Sequence, residues 1–280
     1  MSTSATVLRT PVEPDGQGRQ TGRVAVAPVT FGRVVRSEWL KFRTLRSTWS
    51  VLAAAMVGVI VIAGIIAWNT RSGTGLAPED SAPSATLQGY YLGQLLIASL
   101  GVLFVSGEYG TGMIRSTLAA VPRRLPVLVG KAVVFTAIVL VAMTATAFAA
   151  FLIAQSITAR YRPAYSLSNP GVLRVVVGTG VYLTLIGLVG AAIGWIVRST
   201  AGALVTVAGL VLVLPVVFGS LFGAWGRHVA AYLPNGAGAS FSTTYGNPGG
   251  LSAWTGFWVM LAWAVVTFGI AAVLLRRRDA

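Results

Sequence analysis

Six apolar runs, each near twenty residues or longer and almost free of charge, recur along this chain at about 49–68, 88–106, 127–157, 173–197, 201–222 and 254–275. An α-helix rises about 1.5 Å per residue, so twenty residues cross a hydrocarbon core roughly 30 Å thick. Inside such a core each backbone N–H and C=O must be satisfied within its own segment, and a helix does this. The expected fold is therefore an all-α integral membrane protein with six transmembrane helices. The third run exceeds one crossing, and tilt or a first turn on the cytoplasmic side takes up the excess. Composition agrees. Of 280 residues 55% are hydrophobic and only 10% charged, and the mean hydropathy is +0.76, far from a soluble globular domain.

The first 29 residues are different in kind. Rich in Ser, Thr, Gly, Pro and Arg, they hold too little apolar area to offset the entropy of ordering, so a disordered cytoplasmic tail is expected there. The first apolar run lies too deep and runs too long for a cleavable signal peptide. That leaves residues 30–280 as the membrane domain. The chain has no cysteine, which removes disulfides, thiol chemistry and cysteine metal sites.

The formal net charge is +14, and its distribution carries the topology. Arg9, Arg19, Arg23, Arg33, Arg36, Lys41, Arg43 and Arg46 precede the first span; Arg115, Arg123, Arg124 and Lys131 fall between spans two and three; Arg198, Arg276, Arg277 and Arg278 complete that face. Only Arg71, Arg160, Arg162, Arg174 and Arg227 fall on the other. Loops rich in Lys and Arg stay in the cytoplasm, so both termini are expected there, in a multi-pass protein of the plasma membrane. Cations that flank spans, without interleaved aromatics on a soluble surface, also argue against nucleic acid as a partner.

Ahead of the first span, "TFGRVVRSEWLKFRTLRSTW" has a helical period of its own. Phe31, Val34, Val35, Trp39, Phe42, Leu45 and Trp49 recur on one face, and Arg33, Arg36, Lys41, Arg43 and Ser47 fall mainly elsewhere. This is the pattern of an N-terminal amphipathic helix lying along membrane lipid. Two roles stay open, lipid anchoring and docking against a cytoplasmic partner. Glu38, between Trp39 and the cations, favours docking because an acid against anionic lipid is unfavourable unless paired.

The connection between spans two and three, "SGEYGTGMIRSTLAAVPRRLP" at 106–126, is the other break in the apolar pattern. Glu108 closes the second span, Gly110 and Gly112 permit a tight turn, and "MIRSTLAAV" has the content of a short helix. Pro122 stops that helix and Pro126 opens the next span. An amphipathic connector and a docking helix are both compatible with this. Glu108 and Arg115 are expected at the wet boundary, where an exposed ion pair contributes at most about 1 kcal/mol.

On these stretches, with "YLPNGAG" after the fifth span, the chain resembles actinobacterial membrane subunits of the type-2 ATP-binding-cassette (ABC) exporters over about 31–280. The resemblance implies a permease subunit whose short cytoplasmic coupling helix, between spans two and three, sits in a cleft of a separate ATPase subunit. It assigns Glu108, Tyr109, Gly112, Arg115 and Leu118 to that coupling region. Met113 departs from the Thr that many relatives carry there. The resemblance also implies a homodimer or paired permease around a small-molecule or lipid-like substrate, with ATP and magnesium on the partner. Independently, G-x-x-x-x-G-K-[ST] is absent: Gly130-Lys131 is followed by Ala132, with Leu125 at the first glycine position. This chain is therefore expected to bind no cofactor and to be no enzyme itself.

Rival classes have their own signatures. An ion-coupled carrier commonly needs ionisable groups at the membrane midplane, and outside the span ends the charges read as loop residues. Gln94 either faces a substrate path or bonds between helices. A membrane enzyme would need clustered titratable groups, whereas His228 is the sole histidine and Glu79-Asp80 lies in a Pro/Ser-rich loop. A non-transporting structural or regulatory subunit also stays open. Gly190 and Gly194 in "GAAIG", and Gly219 and Gly223 in "GSLFG", are expected at close helix contacts. Pro215 is expected to kink the fifth span, with short re-entrant helices after it. Trp49, Trp68, Trp225 and Trp254 read as interfacial anchors.

Overall fold

The computed structural model describes residues 30–70, 83, 87–110, 112–113, 124–161, 163–243 and 250–277. Among these the chain is helical, with no strand. Helix α1 (Phe31–Thr44) ends at Leu45, whose backbone is extended, and α2 (Arg46–Thr70) begins at the next residue. A 3-10 turn at Leu87–Gly89 leads into α3 (Tyr90–Gly110), followed by α4 (Leu125–Thr158) and α5 (Val172–Val197). Then come α6 (Thr200–Ala208), a π-helical turn (Gly209–Val213) and α7 (Leu214–Leu221), which together form one apolar segment of 22 residues. Helices α8 (Gly223–Tyr232) and α9 (Pro234–Phe241) are short, and α10 (Ala253–Arg277) closes the fold.

Among the described residues six helices are long and apolar enough to cross a membrane, at Arg46–Asn69, Leu87–Gly110, Leu125–Thr158, Val172–Val197, Thr200–Leu221 and Ala253–Arg277. They coincide with the six runs to within a few residues, as an all-α membrane protein requires. The expected tail at 1–29 lies outside the described residues.

Burial ranks the spans. Within its most apolar window α5 is 78% buried and α3 67%, against 28% for α2 and α10 and 17% for the fifth span. Helices α5 and α3 therefore form the centre, and the others present wide apolar faces outward. Small residues make this pair possible. A Cβ on Gly190 would stand 2.2 Å from the Ala98 carbonyl oxygen, and one on Gly101 2.0 Å from that of Gly187. The backbones touch, which in an apolar solvent yields dispersion contacts no larger residue permits.

The second glycine pair behaves otherwise. Gly219 has no neighbour within 4 Å of its Cβ position, and Gly223 has φ +58°. The expected helix contact is thus replaced by a chain reversal, for which a positive φ suits glycine. Pro215 deforms its helix as expected, by a π turn rather than an open break. Its ring crowds the carbonyl of Val211, and the wider Gly209–Val213 turn accommodates that clash. Beyond it α8 folds back on α7, bringing the Gly226 Cβ position 2.0 Å from the Phe218 carbonyl oxygen. Helix α9 lies between α5 and α10, where the Tyr182 ring occupies the space beside Gly238.

Candidate functional site

Helix α1 buries a stripe one residue wide: Val34, Glu38 and Phe42, spaced four apart. Two are apolar and pack into the bundle, Phe42 edge-on to Phe104 of α3 at 5.2 Å between ring centres. The third is an acid only 1% exposed. An isolated buried carboxylate would be neutralised by a shifted pKa, so Glu38 requires cations.

Two lysines supply them. Lys41 Nζ donates to Glu38 Oε1 at 2.8 Å and to Glu108 Oε1, at the end of α3, at 2.9 Å. Lys131 of α4 donates to the same Glu108 oxygen at 2.9 Å and lies 2.7 Å from Glu38 Oε2. Lys131 also donates to the Phe104 carbonyl at 3.4 Å and sits 4.3 Å from the centre of the Phe104 ring. Two acids and two lysines thus close a neutral tetrad that binds α1, α3 and α4 together. Beneath it Val34, Val105, Val127, Leu128 and Trp195 form an apolar cluster that keeps the local dielectric low and strengthens each pairing. Burial opposes the charge of the Lys41 ammonium, yet hydrogen bonds and attraction from Glu38 and then Glu108 hold its pKa above the ordinary lysine value.

The same end of the bundle gathers further polar links. Tyr109 stands edge-on to Trp195 at 6.0 Å, and the Arg198 guanidinium lies 5.6 Å from its ring centre. Arg124 donates to the Leu275 carbonyl at 3.2 Å, and Thr200 to the Ser106 hydroxyl at 3.0 Å. Gly112 takes φ +71° while its N–H donates to the Tyr109 carbonyl at 3.3 Å. That is the tight turn expected at this glycine. Arg115 and Leu118 lie outside the described residues.

Two expectations need correction. Glu108 does not sit at a wet boundary: it is 5% exposed and bonded to two lysines. Glu38 is not offered to lipid or to a cytoplasmic partner, because its pairing is internal; Trp39 and Arg43, in contrast, are exposed on the far side of α1. Of the two readings open for Gln94 the structure shows the bond between helices: it lies at 0% exposure in the α3–α5 contact and accepts a hydrogen bond from Tyr182. Sequence reasoning missed Lys131, counted with the loop cations although it lies inside α4 at 2% exposure. A signal was present, since Glu38 and Lys131 are each a lone charge on an otherwise apolar helix face.

Among the described residues no cluster of His, Cys, Asp and Glu has the makings of a metal site. His228 is exposed on α8, with Tyr232 at 5.3 Å between ring centres. No protein-family model matches this chain, and a search of curated proteins finds no significant match.

Proposed function

We propose that this chain is the permease subunit of an ATP-driven ABC exporter. In this reading it forms the substrate path in a homodimer or a pair of permeases, in the plasma membrane with both termini cytoplasmic. ATP and magnesium belong to a separate ATPase subunit, and this chain is neither an enzyme nor a cofactor carrier. The substrate is a small or lipid-like molecule.

One observation carries most of the support. The tetrad ties α1 to the end of α3 and the start of α4, the two helices that flank residues 111–124. A motor that pushes on those residues pushes on a braced unit, because a buried cluster of ion pairs resists separation of its members. The displacement is then shared by three helices, one lying along the surface and two crossing. From α3 it passes to α5 through the glycine contact.

Co-expression with the ATP-binding subunit encoded by a neighbouring reading frame, followed by purification and reconstitution, tests the proposal. A stable complex whose ATP hydrolysis depends on the permease is expected. A chain that binds no ATPase yet moves lipid-like dyes down an ionophore-sensitive gradient would overturn it. That second reading, an ion-coupled carrier, draws support from the buried Glu108–Lys131 pair, since ionisable groups within membrane helices are costly and functional by default. Against it, the pair lies at a helix end and is already neutralised.

A further inference from the structure

At the opposite end of the bundle, between α5, α9 and α10, lies an open groove of about 450 Å³. That is within the roughly 300–1,000 Å³ of small-molecule sites. Its walls are Leu173, Val177, Val181, Trp254 and Phe257, and among the described residues its one charged lining residue is Arg174. The guanidinium is held in place. Arg174 donates to the Phe241 carbonyl at 3.2 Å and the Thr243 carbonyl at 3.0 Å, which leaves further N–H groups and the full positive charge. The two acids among the described residues, Glu38 and Glu108, both belong to the tetrad at the other end. No carboxylate among the described residues therefore balances Arg174.

Depth fixes the kind of ligand. Arg174 lies in the first turn of α5, where the apolar segment begins, and Val181 stands roughly 10 Å further along the axis at about 1.5 Å per residue. Trp254 likewise opens α10 and is exposed, as an interfacial anchor would be. A preorganised cation at the membrane boundary thus heads an apolar trough that runs inward. The geometry points to a binding site for one anionic phospholipid, with its phosphate on Arg174 and an acyl chain along Leu173, Val177 and Val181. Arginine suits this headgroup because its planar fork meets two phosphate oxygens at once. The site is separate from the tetrad and independent of the transport reading.

The test exchanges the purified full chain into detergent containing phosphatidylglycerol or phosphatidylcholine with identical acyl chains, and counts retained lipids by native mass spectrometry. One phosphatidylglycerol per chain should be held in preference to phosphatidylcholine. Arg174→Ala should lower phosphatidylglycerol retention by about tenfold, the scale of one charge-assisted hydrogen bond, and phosphatidylcholine, whose phosphate is already offset by its own choline cation, by less. Because Arg174 also secures the end of α9, a second variant keeps its bonds intact: Val177→Trp fills the trough and should lower retention of both lipids. Equal retention of the two lipids by the parent chain, a preference that survives Arg174→Ala, or retention untouched by Val177→Trp would each overturn the site. So would a disulfide between two Val177→Cys chains in this cysteine-free background, which would make the groove a contact between copies.

Discussion

Lys131 Nζ lies 2.7 Å from Glu38 Oε2, and each side chain is less than 3% exposed. One residue belongs to a short helix ahead of the first span and the other to the longest helix of the bundle. Their pairing makes α1 a fixed part of the membrane domain, which its amphipathic pattern alone does not require.

Removing one member should be costly, because the partners left behind are buried. Lys131→Met leaves two carboxylates to share Lys41, and a loss of about 3–5 kcal/mol is expected, the range for breaking a buried pair. Thermal unfolding in detergent should register it as a large fall in midpoint. Exchanging the charges, Glu38→Lys with Lys131→Glu, should not restore it, because the exchange sets like charges against Lys41 and Glu108 at contacts of 2.8 and 2.9 Å. A Lys131→Met protein as stable as the parent would show the tetrad to be a surface feature.

The pH dependence follows from Lys41. Its pKa is raised relative to 10.5, so the folded state holds the proton more tightly than the unfolded chain. The contribution is complete below the ordinary lysine value and is lost as pH rises beyond it through the folded pKa. Protease cleavage at the α1–α2 junction should be constant between pH 6 and about 9 and increase only in stronger alkali. Release of α1 within the neutral range would contradict the pairing.

Two glycine substitutions should separate contact from vacancy. Gly190→Ala drives a methyl group toward the Ala98 carbonyl oxygen, 2.2 Å away, so the central helices must part, at about 1–3 kcal/mol. Gly64→Ala, with nothing within 4 Å, should be neutral or stabilise by up to about 1 kcal/mol. Paired thermal melts in one detergent give the comparison, and equal behaviour would deny the close α3–α5 contact.

Membrane sidedness is accessible because the chain has no cysteine. Ser47→Cys, beside the tetrad end, and Ser168→Cys, between α4 and α5, are both exposed positions. On intact cells an impermeant thiol reagent should label Ser168→Cys and spare Ser47→Cys, as the charge distribution demands. The reverse pattern would invert the topology and remove the cytoplasmic coupling proposal.

How far the sequence reaches is clear from particular residues. The six spans were legible because twenty uninterrupted apolar residues satisfy their backbone in only one way at this length, and the period of α1 was legible because helical spacing is local. Local geometry also set the turn at Gly112 and the distortion before Pro215. Tertiary structure decided the partners. That Glu38 meets Lys131, that Gln94 bonds to Tyr182 in place of facing a path, and that Gly190 touches α3 while Gly219 touches nothing depend on which helices adjoin and at what rotation. An apolar solvent hides that choice: in lipid a Val against a neighbouring helix and a Val against an acyl chain leave the same trace in composition, so hydrophobic patterning marks the spans without ordering them. Only contacts that composition does not signal, between polar groups and between bare backbones, determine how the six helices are arranged, and those form between residues far apart in the chain.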